Sequence, residues 1–360
     1  MRLHLALTLV LGLLASPHAA AQWESFPAFR DVRAIAASGD ALWAATPAGV
    51  FGYAVTDGAF ERYTPIDGLQ GGEARAIDVD ARGRVWIGYG DGVLDRIDPA
   101  SGEITSYFDI ERADQFTSRG VNRIRARGDS LLIATDFGLV IWDLQQDQVR
   151  QTASRLGPLD GATPVRDVLV APLPGTTTDA FWLATDDGIV HAPLATPNLQ
   201  IPSAWTRDEG FPAPSYALAL YEDIVWASGR LNGQSGDLYS RGSDGVWNRR
   251  IFFDEVVSEI VVADGILAAV EQEGGRVYLF ETFFQTRNFD GRPTSTRLKS
   301  IAYGPDGRFW GGDSGIGLLQ YPEVPDIFSG SIPFTPDPIL PSGPFSNAIT
   351  DFDLSPDGDI

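Results

Sequence analysis

The sequence has 360 residues, no cysteine, three histidines and a formal net charge of -21. Without cysteine there are no disulfides, no thiol chemistry and no acylated-cysteine anchor. Because nucleic acid and anionic membrane surfaces repel an acidic protein, both are poor partners. We interpret most of the excess negative charge as surface charge that keeps the protein soluble.

Residues 1–21 have the pattern of a secretory signal peptide. Arg2 gives a basic start, and the apolar run from Leu5 to Leu14 is too short to span a bilayer as a permanent helix. Small residues at Ala19 to Ala21 predict cleavage before Gln22. We therefore expect an extracytoplasmic protein, in the periplasm or at the outer-membrane surface, with no transmembrane segment in the rest of this sequence.

One pattern recurs along the chain after residue 22: an apolar strand, a Gly/Asp turn, a second apolar strand, a glycine and a third strand. The copies are Arg33–Tyr53, Arg75–Ile97, Asn122–Leu144, Arg166–His191, Ala217–Tyr239, Val257–Phe280 and Leu298–Tyr321. A large residue anchors the second strand every 41 to 50 residues, at Trp43, Trp86, Leu132, Trp182, Trp226, Leu267 and Trp310. This period, with several short strands in each repeat, is typical of β-propeller blades, and the anchors are predicted core residues.

A fourth, more polar strand follows several copies, as at Phe60–Thr64, Ile104–Phe108 and Trp205–Arg207. Polar outer strands are expected where a blade edge faces water. Trp23–Phe26 resembles such a strand but precedes the first copy, so we expect it to complete the last blade. The sequence thus predicts an all-β, seven-bladed propeller of four-stranded antiparallel blades over residues 22–321.

The chain after Tyr321 does not fit that ring. Residues 322–345 are rich in proline and predict a connector with at most an edge strand. Residues 346–360 resemble the start of another repeat, in which Gly358 precedes an anchor expected just after Ile360. We expect the chain to be part of a longer protein that carries a second propeller.

The predicted mature chain offers few residues for catalysis. Its one histidine, His191, lies in a predicted third strand. The lack of cysteine excludes zinc sites built on cysteine, and a single histidine excludes those built on clustered histidines. We therefore predict no enzyme activity, no catalytic or metal-binding residues and no cofactor, and the ligand-binding residues are unknown.

Aspartates are the remaining candidates. Asp91, Asp136, Asp186 and Asp187 follow anchor strands and are expected at one end of the ring, where a pair of carboxylates could serve a glycosidase. The simpler interpretation is that aspartate favours these turns. Asp78, Asp80 and Asp306 lie near glycine turns but lack the spacing of a calcium loop, which leaves calcium binding open.

Four segments resemble the N-terminal propeller of the PorZ family of type IX secretion: Leu42–Tyr53, Ile87–Asp98, Leu132–Leu144 and Leu183–Trp205. The resemblance covers the chain from about Trp23 to Trp205. It implies two seven-bladed propellers and a C-terminal sorting domain. It also implies a scaffold role at the outer-membrane surface, in a complex with the sortase that attaches secreted proteins to anionic lipopolysaccharide.

Two other interpretations remain open. The W-x-A-T pattern at Trp43 and Trp182 also resembles the sensor propellers of two-component regulators with hybrid histidine kinases. A propeller lyase or glycosidase would need acidic, histidine or tyrosine side chains that converge on the central channel.

Overall fold

The computed structural model describes residues 28–211, 213–230, 236–253, 255–271, 277–282, 285–289, 298–321 and 338–341. Within these ranges the chain is almost entirely β-structure, with one short 3-10 turn at Pro202–Ala204. No helix in the described ranges is long and apolar enough to cross a membrane.

The strands form seven four-stranded antiparallel sheets, each following chain order, which are the blades. Blades 1 and 2 comprise β1 (Ala34–Ser38), β2 (Ala41–Thr46), β3 (Gly49–Ala54), β4 (Phe60–Tyr63), β5 (Ala74–Val79), β6 (Val85–Tyr89), β7 (Leu94–Asp98) and β8 (Glu103–Tyr107). Blades 3 and 4 comprise β9 (Val121–Arg127), β10 (Ser130–Thr135), β11 (Gly138–Asp143), β12 (Gln148–Ala153), β13 (Val165–Pro172), β14 (Asp179–Thr185), β15 (Gly188–Pro193) and β16 (Thr206–Arg207).

Blades 5 to 7 follow the same order. They comprise β17 (Ser215–Tyr221), β18 (Ile224–Arg230), β19 (Gly236–Arg241), β20 (Trp247–Phe252), β21 (Val257–Ala263), β22 (Ile266–Glu271), β23 (Val277–Thr282), β24 (Gln285–Phe289), β25 (Leu298–Tyr303), β26 (Phe309–Asp313), β27 (Gly317–Gln320) and β28 (Pro338–Ile339). An all-β propeller of four-stranded antiparallel blades was predicted, and the structure confirms it.

The first strand of each blade lies at the centre of the ring. These inner strands contact one another in blade order, and β25 contacts β1, which closes the ring. At this junction the amide of Val32 donates a 2.9 Å hydrogen bond to the carbonyl oxygen of Asp313. Blades 1 and 7 are thus held together by backbone contact.

The core lies between neighbouring blades. All seven predicted anchors are buried, and the largest ones pack onto the following blade. Trp86 of blade 2 packs with Ile124 and Trp142 of blade 3, and Trp310 of blade 7 packs with Phe29 beside blade 1. The prediction that anchors fill the space between blade sheets is confirmed.

The glycine six residues after an anchor is required by the backbone. Gly138 has a φ of 143°, and a Cβ there would lie 2.1 Å from the carbonyl oxygen of Ala153. Gly49 in blade 1 has a φ of 141° and a similar clash with the carbonyl oxygen of Tyr63. Only glycine lets the third strand start so close to the outer strand.

Blade 7 also takes its four strands in chain order, but its third and outer strands are farther apart in the sequence than those of the other blades. Its outer strand is β28, which pairs with β27 through Leu318↔Ile339 and Leu319↔Pro338. Blade 7 therefore includes a strand that lies beyond Tyr321, the expected end of the ring. Proline lacks an amide hydrogen and is therefore tolerated on an edge strand. The Pro-rich segment 322–345, in which we expect at most an edge strand, supplies this outer strand.

Two predictions fall outside the described residues. These are the closing strand at Trp23–Phe26 and the second propeller beginning at 346–360. The outer position of blade 7, which we expected Trp23–Phe26 to fill, is held by Pro338–Ile339.

Candidate functional site

The central channel is crossed by charged side chains of the inner strands. Both Arg123 and Arg125 extend from β9, and Arg125 forms two hydrogen bonds with Asp167 of β13, at 2.9 and 2.7 Å. Arg123 pairs with Glu259 of β21 and lies 3.8 Å from Asp167. Blades 3, 4 and 6 are thereby joined through the middle of the ring.

The same carboxylates also bind backbone amides of the next blade. Asp167 accepts a 2.9 Å hydrogen bond from the amide of Leu218, and Glu259 accepts one of 2.9 Å from Ile301. Asp78 of β5 accepts a 2.7 Å hydrogen bond from Ala126. These carboxylates tie blades 2, 4 and 6 to the blades that follow them.

The titration behaviour of these carboxylates follows from their surroundings. Burial opposes ionisation of Asp167, but the nearby charges of Arg125 and Arg123 prevail and lower its pKa. Burial dominates at Asp78 and raises its pKa above the usual value. Because their oxygens are held by arginines and backbone amides, the channel carboxylates serve to join blades.

His191 lies away from the channel, between blades 4 and 5. Its ring is 4.9 Å from that of Trp182, and it faces Asp208 and Arg241, which pair at 2.7 Å. Burial is the main cause of its lowered pKa, with Arg241 adding to it and Asp208 opposing. The expected position in a third strand is confirmed, and the ring forms part of a packed interface between blades.

The predicted turn aspartates lie at one end of the ring. We call this end the turn face: it carries the turns between second and third strands, and the segments that lead into each blade. Asp91 accepts hydrogen bonds from the amides of Gly72 (3.0 Å) and Val93 (3.1 Å). Asp187 accepts a 2.8 Å hydrogen bond from the Thr163 hydroxyl. Each aspartate fixes its turn to the segment leading into the same blade.

Asp136 shows the same arrangement in blade 3. Its carboxylate accepts hydrogen bonds from the Ser118 hydroxyl (2.6 Å), the Gly120 amide (3.1 Å) and the Asn122 side chain (3.0 Å). The interpretation of aspartate as a turn residue accounts for these contacts.

The aspartates considered for calcium have protein partners. Asp80 accepts hydrogen bonds from the indole of Trp86 (2.9 Å) and from Arg84 (2.7 Å), and Asp306 accepts one from the indole of Trp310 (3.0 Å). In the described residues, no group of three or more His, Cys, Asp or Glu side chains is arranged to hold a metal ion.

Three arginines on the turn face were not predicted from the sequence as candidate binding residues. Arg33 forms hydrogen bonds with Asp31 at 2.9 and 2.8 Å and also pairs with Glu73 of the segment leading into blade 2. Arg75 lies 3.7 Å from Glu73, and Arg166 forms two 2.7 Å hydrogen bonds with Asp186.

We call Arg33, Arg75 and Arg166 the turn-face arginines. The sequence contains a pattern that could have identified them, because arginine is the first residue of three repeat copies. Arg33 directly precedes an inner strand, and Arg75 and Arg166 are the second residues of theirs. The three side chains remain roughly one-third to two-fifths exposed beside the channel mouth. Guanidinium groups fixed in this way can bind carboxylate or phosphate groups.

A groove of about 590 Å³ opens on the same face between blades 2 and 3. Its lining includes the carboxylates of Asp91 and Glu111, the Arg119 guanidinium and the Phe108 ring. The turn face therefore combines a concave surface, an aromatic side chain and charges of both signs, which suits binding of a polar ligand or a protein surface.

Part of the chain matches a known protein family. Residues 42–206 match the family model described as the type IX secretion PorZ N-terminal β-propeller domain. Among curated protein sequences, none matches the chain. The predicted resemblance to the PorZ propeller is confirmed over that segment.

Solved structures support the fold. A surface component of the Porphyromonas gingivalis type IX secretion system, PorZ, superposes with a TM-score of 0.70 and 18% identity, over 93% of this chain and 42% of its own. The extracellular domain of a putative one-component system from B. thetaiotaomicron gives a TM-score of 0.60 and 16% identity, over 80% of this chain and 40% of its own. The WD40 propeller of Doa1 gives 0.60 and 13%, over 84% of this chain and 94% of its own. This chain thus spans about two-fifths of the length of the PorZ structure.

Proposed function

We propose that this PorZ-like propeller is a non-enzymatic binding component of type IX protein secretion. The observation that carries the proposal is the match of residues 42–206 to the PorZ N-terminal propeller model. The PorZ of P. gingivalis is described as an essential bacterial surface component of that system. By analogy, this chain acts outside the cytoplasm, with protein partners of a sortase complex.

Two features of the channel favour binding over catalysis. Arg123, Arg125, Asp167 and Glu259 are engaged with one another across the ring. His191 lies between two blades, against Trp182, rather than in the channel. A lyase or glycosidase requires side chains that converge on a substrate with free proton-transfer groups.

Within this proposal, the turn face binds the anionic part of lipopolysaccharide. The turn-face arginines supply partly exposed guanidinium groups, and the 590 Å³ groove opens on the same face. Although the protein is acidic, such local positive charge can select an anionic ligand.

The first experiment is a pull-down of the tagged chain from native outer and inner membranes. We expect outer-membrane sortase components among the recovered proteins. Recovery of an inner-membrane histidine kinase without a sortase partner would instead support the sensor interpretation and overturn the secretion role.

The second experiment measures lipopolysaccharide binding by the variant with Arg75→Glu and Arg166→Glu. We expect binding to weaken at least about tenfold, as expected when two charge contacts become repulsive. The control is Arg150→Glu together with Arg207→Glu, which makes the same change in charge on outer strands. Equal weakening by both variants would show that net charge, and not the turn face, governs binding.

A further inference from the structure

The interface between blades 3 and 4 lacks the tryptophan that most blades carry. Five of the seven anchors are tryptophan, whereas the anchor of blade 3 is Leu132. An anchor indole covers its neighbour on the third strand: a Cβ on Gly52, which pairs with Trp43, would lie 3.0 Å from the Trp43 ring. In blade 4 the ring of Trp182 likewise lies 4.9 Å from that of its cross-strand partner, His191. The cross-strand row that starts at Leu132 is therefore the place where an indole is missing.

Along this row lies a pocket of about 290 Å³, which we call the blade 3–4 pocket. Leu132 pairs with Ile141 of the third strand, which pairs with Gln151 of the outer strand, and all three line the pocket. Phe181 and Leu199 of blade 4 line it from the other side. The Leu199 amide donates a 3.0 Å hydrogen bond to Gln151, which holds this wall in place. Protein interiors contain few voids larger than a water molecule, and a cavity with apolar walls can accept a small apolar ring.

The rim of the blade 3–4 pocket carries two arginines, on a chain with a net charge of -21. Arg127 and Arg150 both line the pocket, and both are exposed. The Arg127 guanidinium lies 3.7 Å from Asp179, and the two side chains are 51% and 46% exposed. Arg150 donates a hydrogen bond to the hydroxyl of Ser130, which pairs with Arg127 across the first two strands. Because exposed ion pairs contribute little to stability, these arginines can bind a carboxylate from outside at little cost.

The blade 3–4 pocket is distinct from the turn face. Arg127 and Ser130 flank the turn between the first and second strands of blade 3, whereas the turn face carries the turns between second and third strands. Successive turns of an antiparallel sheet lie at its opposite ends. The pocket therefore lies at the end of the ring opposite the turn-face arginines.

We infer that the blade 3–4 pocket binds a small molecule that consists of a flat apolar ring carrying a carboxylate. The ring takes the place that an anchor indole fills in other blades and packs against Phe181, since offset and edge contacts between rings are favourable. The carboxylate binds the guanidinium groups of Arg127 and Arg150. The pocket volume lies near the lower end of the range for small-molecule sites, which suits one ring system rather than a larger ligand.

The test uses the purified chain with indole-3-propionate as the probe and its neutral amide as the matched compound. Saturation-transfer NMR, recorded as a titration, measures the dissociation constant of each. We expect saturable binding of the acid with a dissociation constant of about 1 mM or below, as is typical of a ligand of this size. The amide should bind at least about tenfold more weakly, because it cannot form charge-assisted hydrogen bonds with the arginines. No saturable binding of the acid up to about 10 mM, or equal binding of the amide, would overturn the inference.

Filling the pocket locates the site. Leu132→Trp gives blade 3 the residue that five other blades have at this position, so the variant should remain folded by far-ultraviolet circular dichroism. Its indole should occupy the pocket and abolish binding of indole-3-propionate. Unchanged binding by the folded variant would refute the inference.

A second pair of variants tests the rim without a change in the core. Arg127→Gln together with Arg150→Gln should weaken binding of indole-3-propionate at least about tenfold and reduce its advantage over the amide. The control, Arg112→Gln together with Arg207→Gln, removes the same charge from exposed positions outside the pocket and should alter binding less than about twofold. Equal weakening by the two pairs would refute binding at this site. Since the assay needs only this chain and a small molecule, its outcome is separate from that of the membrane pull-down.

Discussion

The interface between blades 2 and 3 offers the sharpest test of the packing argument, through Trp86→Ala. The Trp86 side chain is fully buried, stacks on Tyr107 with ring centroids 5.5 Å apart and lies 6.2 Å from the ring of Trp142. Replacing a buried tryptophan with alanine costs about 3–5 kcal/mol through lost transfer energy and the cavity left behind. The indole also donates a hydrogen bond to Asp80, but that carboxylate keeps its 2.7 Å contact with Arg84.

We therefore expect Trp86→Ala to lower the free energy of unfolding by about 4 kcal/mol, near the middle of that range. Urea unfolding followed by far-ultraviolet circular dichroism measures it. Trp86→Phe is the matched variant: it retains most of the ring volume but loses the bond to Asp80, so a loss of about 1–2 kcal/mol is expected. A loss below about 1 kcal/mol for Trp86→Ala would refute the view that anchors hold the blades together.

Two further predictions concern ionisable groups. Asp167→Asn should reduce stability by about 3 kcal/mol at pH 7, because Arg123 and Arg125 lose their shared carboxylate. Since the pKa of Asp167 is lowered by folding, its contribution is present above about pH 4 and is lost as the pH falls through the folded pKa. The gap between wild type and variant in urea unfolding should thus narrow below that pH, and a gap independent of pH would contradict the channel pairing. Burial is the main cause that raises the pKa of both Tyr63 and Tyr107 to about 12. An unfolded tyrosine loses its proton near pH 10, so stability should fall as the pH rises from about 10 to 12. Ultraviolet absorbance near 295 nm should show phenolate forming late and together with unfolding, whereas full ionisation near pH 10 with the fold intact would be the opposite result.

The blade architecture was predictable because its determinants are local. An anchor such as Trp86 and the glycine after it, such as Gly92, lie within one repeat and recur at a regular period. Each position has a single physical requirement, which is a large apolar side chain or a positive φ. Repetition of the same requirement along the chain made the pattern visible without any structure.

The contacts that close and brace the ring were not predictable in the same way. Arg123 and Glu259 are 136 residues apart, and no periodic feature of the sequence pairs them. The outer strand of blade 7 posed a similar problem, because both Trp23–Phe26 and the segment around Pro338 are short and suit an edge. Short polar strands carry too little pattern to decide which segment pairs with β27.

The turn-face arginines lie between these two cases. Their position at the head of the repeats is regular, but their partners are not: Arg33 binds Asp31, whereas Arg166 binds Asp186 in the turn of its own blade. Sequence spacing could therefore have identified the arginines as a set, but not the exposure or the pairing that decides whether they bind a ligand.

The distribution of charge separates the parts of the molecule that hold the ring from the parts that can bind. In the channel, Asp167 is almost fully buried and is bonded to arginine and to backbone amides, so it stabilises the ring. On the turn face, Arg75 keeps 42% of its side chain exposed, and its carboxylate partner Glu73 lies 3.7 Å away. Loosely paired guanidinium groups can exchange an internal partner for an external carboxylate or phosphate at little cost, whereas the buried channel pairs cannot. An exposed turn face around a braced centre is the arrangement that the proposed binding role needs.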